Sequence, residues 1–424
     1  MLKNVAQAAK ISDLRTRLMF MLGMFIVYVL GLHIPIPGIN HARMETLINS
    51  GAALGLLNAF SGGAFKKFTI FAMGIMPYIN ASIIMSLLTM AVPKLEALQK
   101  EGESGRKEIA KYTRFGTLVL ALVQAAGVLA FLRSNGVLEK SNVGFVQILI
   151  VLIAGTSFLM WLGEMITDKG IGNGVSLIIF LGIVASLPVQ VTQTIVLYNS
   201  HSINGGQIAL LLLILILTIA AIVAVTMAQR RIPIQHVKRV IGNKMTSGAS
   251  SYLPLRVNSA GVIPIIFAIS IQLFPQTIAQ FAQGSAIGGA MKTIADVLSP
   301  GNPFGGLLYF GLVVLFTYFY TAVTFNVQDV SDNLKKWGSY IPGIRPGKPT
   351  TEYLDRVMTR ITLVGAIFLG LIALLPYWTP AVTGIHTFGL VGGTSLLIMV
   401  GVALDTMQAI EAQMVMRHYE GFIK

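Results

Sequence analysis

Apolar residues along this chain gather into ten stretches, near residues 18–34, 68–92, 115–132, 144–163, 174–199, 207–228, 260–282, 305–325, 359–378 and 388–404. Most have the length a helix needs to cross a hydrocarbon layer about 30 Å thick, roughly 20 residues at 1.5 Å each. The sixth, from Ile208 to Met227, is long and free of charge, whereas the tenth is short. Prolines interrupt three of them: Pro77 in the second, Pro188 in the fifth, and Pro264 with Pro275 in the seventh; Pro376 stands only at the end of the ninth. Inside a bilayer a broken helix persists where neighbouring helices or a wet cavity satisfy the freed carbonyls. These three segments therefore either line a functional interior or carry the ordinary kinks common in membrane helices.

Composition turns this pattern into a fold class. Charged residues are 11% of the 424 and hydrophobic ones 54%, against about a quarter charged in an ordinary soluble protein, and mean hydropathy is +0.74. The expectation is an all-α membrane protein with ten transmembrane helices. Cysteine is absent, which excludes disulfides and thiolate metal sites. Lys3, Lys10, Arg15 and Arg17 precede the first apolar run, which ends in His33-Ile-Pro-Ile-Pro-Gly. With no small-residue cleavage site there, the run reads as an uncleaved first span.

An even number of spans leaves both termini on one side, and the net charge of +14 says which. The two tails and the loops on their side carry 24 of the 31 Lys and Arg residues; the opposite loops carry 6. That bias places both termini in the cytoplasm. Trp161 and Trp378 fall at segment ends, as interfacial anchors do.

Two segments resemble one another. The second reads Gly74-Ile-Met-Pro-Tyr-Ile-Asn-Ala-Ser-Ile-Ile-Met and the seventh Gly261-Val-Ile-Pro-Ile-Ile-Phe-Ala-Ile-Ser-Ile-Gln, with identity at 5 of 12 ungapped positions. Each is the second of five, so the repeat divides the chain into halves 1–200 and 201–424. An odd number of spans per half makes them inverted in topology, which places a working site between them near the midplane.

The chemistry missing from the spans narrows the function. Segments four to eight and ten hold no charged residue in their interiors, so an ion-coupled transporter lacks its coupling group. The polar residues there are mainly amides and hydroxyls: Asn80, Ser82, Ser86, Gln124, Gln147, Ser176, Gln272 and Thr394. These either bind a neutral solute or bridge helices. The six histidines are scattered and no hydrolase, zinc or phosphate-binding motif occurs, which argues against an enzyme and against any cofactor or metal. A passive conduit driven from outside the chain fits best, with a secondary transporter of a neutral solute as the alternative.

Charge is concentrated instead in two long cytoplasmic loops. Loop 229–258 carries Arg230, Arg231, Lys238, Arg239, Lys244 and Arg256 and no acid, a surface that attracts anionic lipid, nucleic acid or an acidic protein. Loop 326–358 mixes signs and brackets Arg345 between two Pro-Gly turn signals, in Ile341-Pro-Gly-Ile-Arg-Pro-Gly. That arrangement offers one guanidinium at the tip of a stiff turn, suited to an acidic partner.

Several of these runs resemble the signatures of the SecY family, the central subunit of the bacterial Sec translocon. Thr69-Ile-Phe-Ala-Met-Gly-Ile-Met-Pro-Tyr-Ile-Asn-Ala-Ser-Ile-Ile-Met is similar to the first and Trp161-Leu-Gly-Glu-Met-Ile-Thr-Asp-Lys-Gly-Ile-Gly-Asn-Gly-Val-Ser-Leu-Ile-Ile-Phe to the second. Glu101-Gly-Glu-Ser-Gly-Arg, Leu253-Pro-Leu-Arg-Val-Asn with Ala260-Gly-Val-Ile-Pro, Asp332-Asn-Leu-Lys-Lys and Phe388 through Ile398 agree as well. The likeness runs through nearly the whole chain and is greatest to members from Gram-negative bacteria. Ser86 departs from it, standing where the family usually has Gln, and is expected within a helix interface.

The resemblance implies a clamshell of two inverted five-helix halves around an hourglass pore in the cytoplasmic (inner) membrane. It implies a pore ring carried over as Ile75, Ile79, Ile179, Ile183, Ile266 and Ile398. It also implies a plug near 51–65, a short helix re-entering the pore from outside that includes Leu54, Leu56, Leu57 and Phe60, and a lateral gate between segments two and three and segments seven and eight. Arg345 matches an arginine that engages the motor ATPase SecA, and Arg239 and Lys244 lie in a loop that docks SecA or the ribosome. The implied partners are SecE clamping the halves, SecG alongside, membrane lipid, and secretory or membrane-protein substrates with signal sequences.

Overall fold

The computed structural model describes residues 11–40, 43–44, 46–47, 61–138, 144–236, 240–241, 244–245, 250–281, 286–385 and 393–420. In chain order its helices are α1 (Ser12–Gly31), a one-turn α2 (Ala64–Lys67), α3 (Met76–Ala91), α4 (Pro93–Lys100), α5 (Glu103–Ser134), α6 (Phe145–Lys169), α7 (Gly174–Asn199) and α8 (Gly205–Met227). The strands β1 (Gln229–His236), β2 (Val240–Ile241), β3 (Lys244–Met245) and β4 (Ser250–Arg256) come next. The chain continues through α9 (Ile263–Phe281), α10 (Ala286–Leu298), α11 (Pro303–Thr324), α12 (Val327–Lys336), β5 (Ser339–Tyr340), α13 (Lys348–Thr383) and α14 (Thr394–Glu420).

Among the described residues eight helices are long and apolar enough to cross a membrane, and they coincide with eight of the ten apolar stretches. The two exceptions are the repeated segments. In the second, the chain turns irregularly through residues 69–75 before α3 begins, and α3 with α4 forms a pair bent by 98°. In the seventh, α9 begins only at Ile263. Pro77 and Pro264 therefore lie in first turns, where a missing N–H costs nothing, and not at mid-span kinks. Gly74 and Gly261 both adopt left-handed backbone, φ 56° and 64°. A turn that only glycine makes without strain thus starts the helix at the same place in both halves. Pro188 and Pro275 do lie inside their helices.

α5, at 32 residues, is about 48 Å long and exceeds the hydrocarbon thickness. Its extra length, Glu103 to Arg114, carries the charge. Glu103 pairs with Lys107 at 2.9 Å, and Arg114 Nε donates to Glu164 Oε1 of α6 at 2.7 Å. α4 holds a similar pair, Lys100–Glu96 at 2.7 Å. Hydrogen bonding by Glu96, with a lesser contribution from Asp329 of α12, raises the Lys100 pKa.

The chain is mostly helical, as the all-α class expects, with a small sheet added to it. β4, β1 and β5 form an antiparallel sheet in that order, with Arg231 opposite Pro254 and Gln235 opposite both Ser250 and Tyr340. Alternation along β1 buries Ile232 and Ile234. Ile232 and Leu255 pack with Ile341, Leu354 and Met358 into a separate core over the start of α13.

Within the membrane, glycines set the close approaches. Gly155 of α6 faces the Ile70 carbonyl so closely that a Cβ would overlap it. The irregular 69–75 stretch is pinned there, and Tyr28, Phe71 and Phe158 stack beside it at centroid spacings of 6.0 and 5.9 Å. Gly155→Val is expected to destabilise the fold by about 1–3 kcal/mol, the usual cost of overpacking. Thermal unfolding in detergent measures it, and an unchanged melting temperature would contradict the contact.

Candidate functional site

Three helices bring the candidate ring together. Ile179 and Ile183 lie one turn apart on α7, so their side chains share a face. Ile75 caps the start of α3 with Ile79 one turn on, and Ile398 lies in the first turns of α14. Ile75, Ile179, Ile183 and Ile398 are buried in one apolar cluster, and Ile79 packs against it partly exposed. α14 packs on α7 and α8, so the cluster joins the first five spans to the last five. Branched hydrocarbon of this kind offers passing groups no hydrogen bond and sheds water when empty.

Ile266 stands apart from these five. The buried stripe of α9 is Ile265, Ala268, Ile269 and Gln272, which faces α11 and α13. Ile266 is half-buried at the margin of that stripe. α9 also packs against α5, placing the seventh and third segments side by side.

Leu54, Leu56, Leu57 and Phe60 of the expected plug lie outside the described residues. Immediately after them, Ser61, Ala64 and Phe65 are all buried, and Ala64 belongs to the ring cluster. Phe65 packs instead with Phe68, Leu129 and Leu132 in a second cluster on the far side from the sheet. Lys66 and Lys67 follow Phe65 in the same one-turn helix, and the Arg43 guanidinium donates to the Gly136 carbonyl at 2.8 Å.

Three of the polar residues named inside the spans have structural partners. Gln147 caps its own helix, its Oε1 accepting from Gly144 N at 2.8 Å. Gln272 Nε2 donates to the Leu298 carbonyl and, at 2.8 Å, to that of Gly305, bridging the end of α10 and the start of α11. Ser86 lies on an exposed face, not in a helix interface, and its hydroxyl donates to Ser82 O at 2.8 Å. The Gln272 bridge takes that amide nitrogen away from any neutral solute, while its Oε1 stays buried without a hydrogen-bond partner. Among the described residues no group of three His, Cys, Asp or Glu could hold a metal ion.

Beside the sheet, Arg345 is exposed within the turn 342–347. Gly343 and Gly347 take φ 80° and 101° on either side of it. Thr350 Oγ1 donates to Arg345 O at 2.8 Å and Ser331 Oγ to Gly347 O at 3.1 Å. The turn is thus braced from α12 and α13 while its guanidinium is left to solvent. Lys244 falls in β3 of the small β2–β3 ladder, and Arg239 lies outside the described residues. One tie between sheet and spans escapes sequence reasoning: Arg256 Nη2 donates to Gln408 Oε1 of α14 at 2.9 Å. Nothing in the spacing of residues 152 apart signals that bond. Leu354→Ala should cost the separate core about 2–5 kcal/mol. Faster proteolysis within 236–250 of the folded protein is the expected reading, and unchanged cleavage would show that the sheet is held some other way.

The SecY family model matches residues 69–407. Protein translocase subunit SecY of Streptomyces scabiei is 44% identical over 445 residues, covering 100% of both chains. That of Pseudomonas aeruginosa is 46% identical over 418 residues, covering 98% of this chain and 94% of its own. Similarity is thus nearly even across these bacteria rather than concentrated in one group. A solved protein-conducting channel superposes with a TM-score of 0.65 at 17% identity, covering 97% of each chain. A SecY structure whose plug domain stabilises the closed state gives 0.66 at 16%, again covering 97% of each. With the family model matching from the first signature to the last span and relatives aligned over their full length, this chain belongs to the SecY family.

Proposed function

We propose that this multi-pass membrane protein is the channel through which unfolded secretory polypeptides cross, and membrane proteins enter, the bacterial cytoplasmic membrane. The observation that carries the reading is the convergence of Ile75, Ile79, Ile179, Ile183 and Ile398 from both halves of the chain into one chargeless cluster. A conduit for polypeptide meets every kind of side chain, so its constriction must bind none of them. An apolar ring meets that need and blocks ions by dewetting when no chain is present. The clamshell halves are 1–200 and 201–424, with both termini in the cytoplasm on the charge-rich side.

Ile266 completes the ring from α9. Residues 51–65, including Leu54, Leu56, Leu57 and Phe60, form the plug. Apolar signal helices leave for lipid where α9 and α5 meet. The chain performs no chemistry, so motion comes from machines docked on the basic cytoplasmic platform: SecA at Arg345, and SecA or the ribosome at Arg239 and Lys244. SecE clamps the halves and SecG lies alongside. A transporter for a neutral solute fits less well, because Gln147 and Gln272 are already engaged by backbone groups.

Cysteines replacing Ile79 and Ile266 are expected to cross-link to a secretory chain arrested in transit. Absence of cross-links from Ile79 would remove the constriction, and absence from Ile266 alone would remove α9 from the ring. Arg345→Glu should lower SecA-driven export by two orders of magnitude or more, about 2.7 kcal/mol, while complex assembly is unchanged. Export at the normal rate would free Arg345 from this role.

A further inference from the structure

The ring-facing stripe of α7 has a notch. Ile179, residue 182 and Ile183 fall at i, i+3 and i+4, one face of the helix, and residue 182 is Gly182. Its backbone is therefore bare between two ring side chains. Gly62 occupies that bareness: a Cβ on Gly62 would lie 2.8 Å from Gly182 Cα and 2.9 Å from Gly182 O. No side chain fits between the two backbones. Gly62 and Gly63 are both left-handed, φ 68° and 84°, and turn the chain sharply so that Ala64 enters the ring cluster and Phe65 the outer cluster. The turn is closed by Phe65 N donating to Ser61 Oγ at 3.1 Å and Thr69 N to Ala64 O at 3.0 Å.

We infer that the Gly62–Gly182 backbone contact is a latch that positions the 61–65 turn against the constriction and sets how tightly the resting channel excludes small ions. The inference rests on the isoleucine cluster being the pore constriction. Backbone cannot retreat as a flexible side chain can, so any Cβ at 62 must lift the turn away from Ile179 and Ile183. Gly63 has the same left-handed strain but open space around its Cβ position. The two glycines therefore separate contact from conformation.

The test reconstitutes the complete translocon in vesicles loaded with a halide-sensitive dye and measures halide entry without substrate. Gly62→Ala is expected to raise the resting leak roughly tenfold, as overpacking against rigid backbone displaces the turn. Gly63→Ala should stay at the wild-type level, and Ile398→Asn, which breaks the ring itself, should leak. A tight Gly62→Ala beside a leaking Ile398→Asn overturns the latch and leaves the constriction standing. If neither leaks, the constriction reading fails and the latch with it. Equal leaks from Gly62→Ala and Gly63→Ala assign the effect to strain and also overturn the latch. Should Gly62→Ala not assemble, hydrogen exchange on the wild-type complex decides. The amides of Phe65 and Thr69 should be protected at rest and exchange faster once a secretory chain is jammed in the pore; equal exchange in the two states overturns the proposal.

Discussion

Five isoleucines from α3, α7 and α14 share one apolar cluster with Ala64, and this cluster constrains the rest of the molecule. Apolar side chains can hold two halves of a membrane protein together while leaving no polar group at the junction. The bond is non-directional, so it can be broken by an incoming chain and remade without reorienting donors or charges. Because the junction contributes no fixed dipole, charge has to be kept elsewhere. The charged ends of α5 and the basic sheet over α13 are the consequence, lying outside the apolar stretches of the spans.

The two repeated segments start their helices by one device: a left-handed glycine, a short turn, then a helix with proline in its first turn. Gly74 and Gly261 were legible as a repeat because the turn chemistry leaves few residues able to serve. The prolines that could have marked kinks are helix starts, since a proline suits a first turn as readily as it breaks an interior. The eight ordinary spans were legible from length and composition alone, and α3 and α9 were the difficult pair because part of each apolar stretch is not helical.

Other features were not legible, for identifiable reasons. The sheet lies in a loop whose charges drew attention, yet its order comes from Ile232, Leu255, Ile341 and Leu354, four apolar residues far apart in the chain. The Arg256–Gln408 bond that ties it to α14 is equally non-local. Ile79 and Ile266 occupy equal places in the repeat, but the packing of α9 on α11 sets the buried stripe one residue away from Ile266. The Gly62–Gly182 approach depends on two residues whose only sequence mark is the lack of a side chain.

In the proposed channel, apolarity and not a particular shape or charge makes the barrier. Its most direct measurement is the single-channel conductance of the empty, reconstituted complex after replacing all six candidate ring residues together, once with valine and once with serine. The account predicts that the valine ring stays non-conducting, because it still dewets, and that the serine ring conducts ions without any substrate. A serine ring as tight as the native one would contradict it.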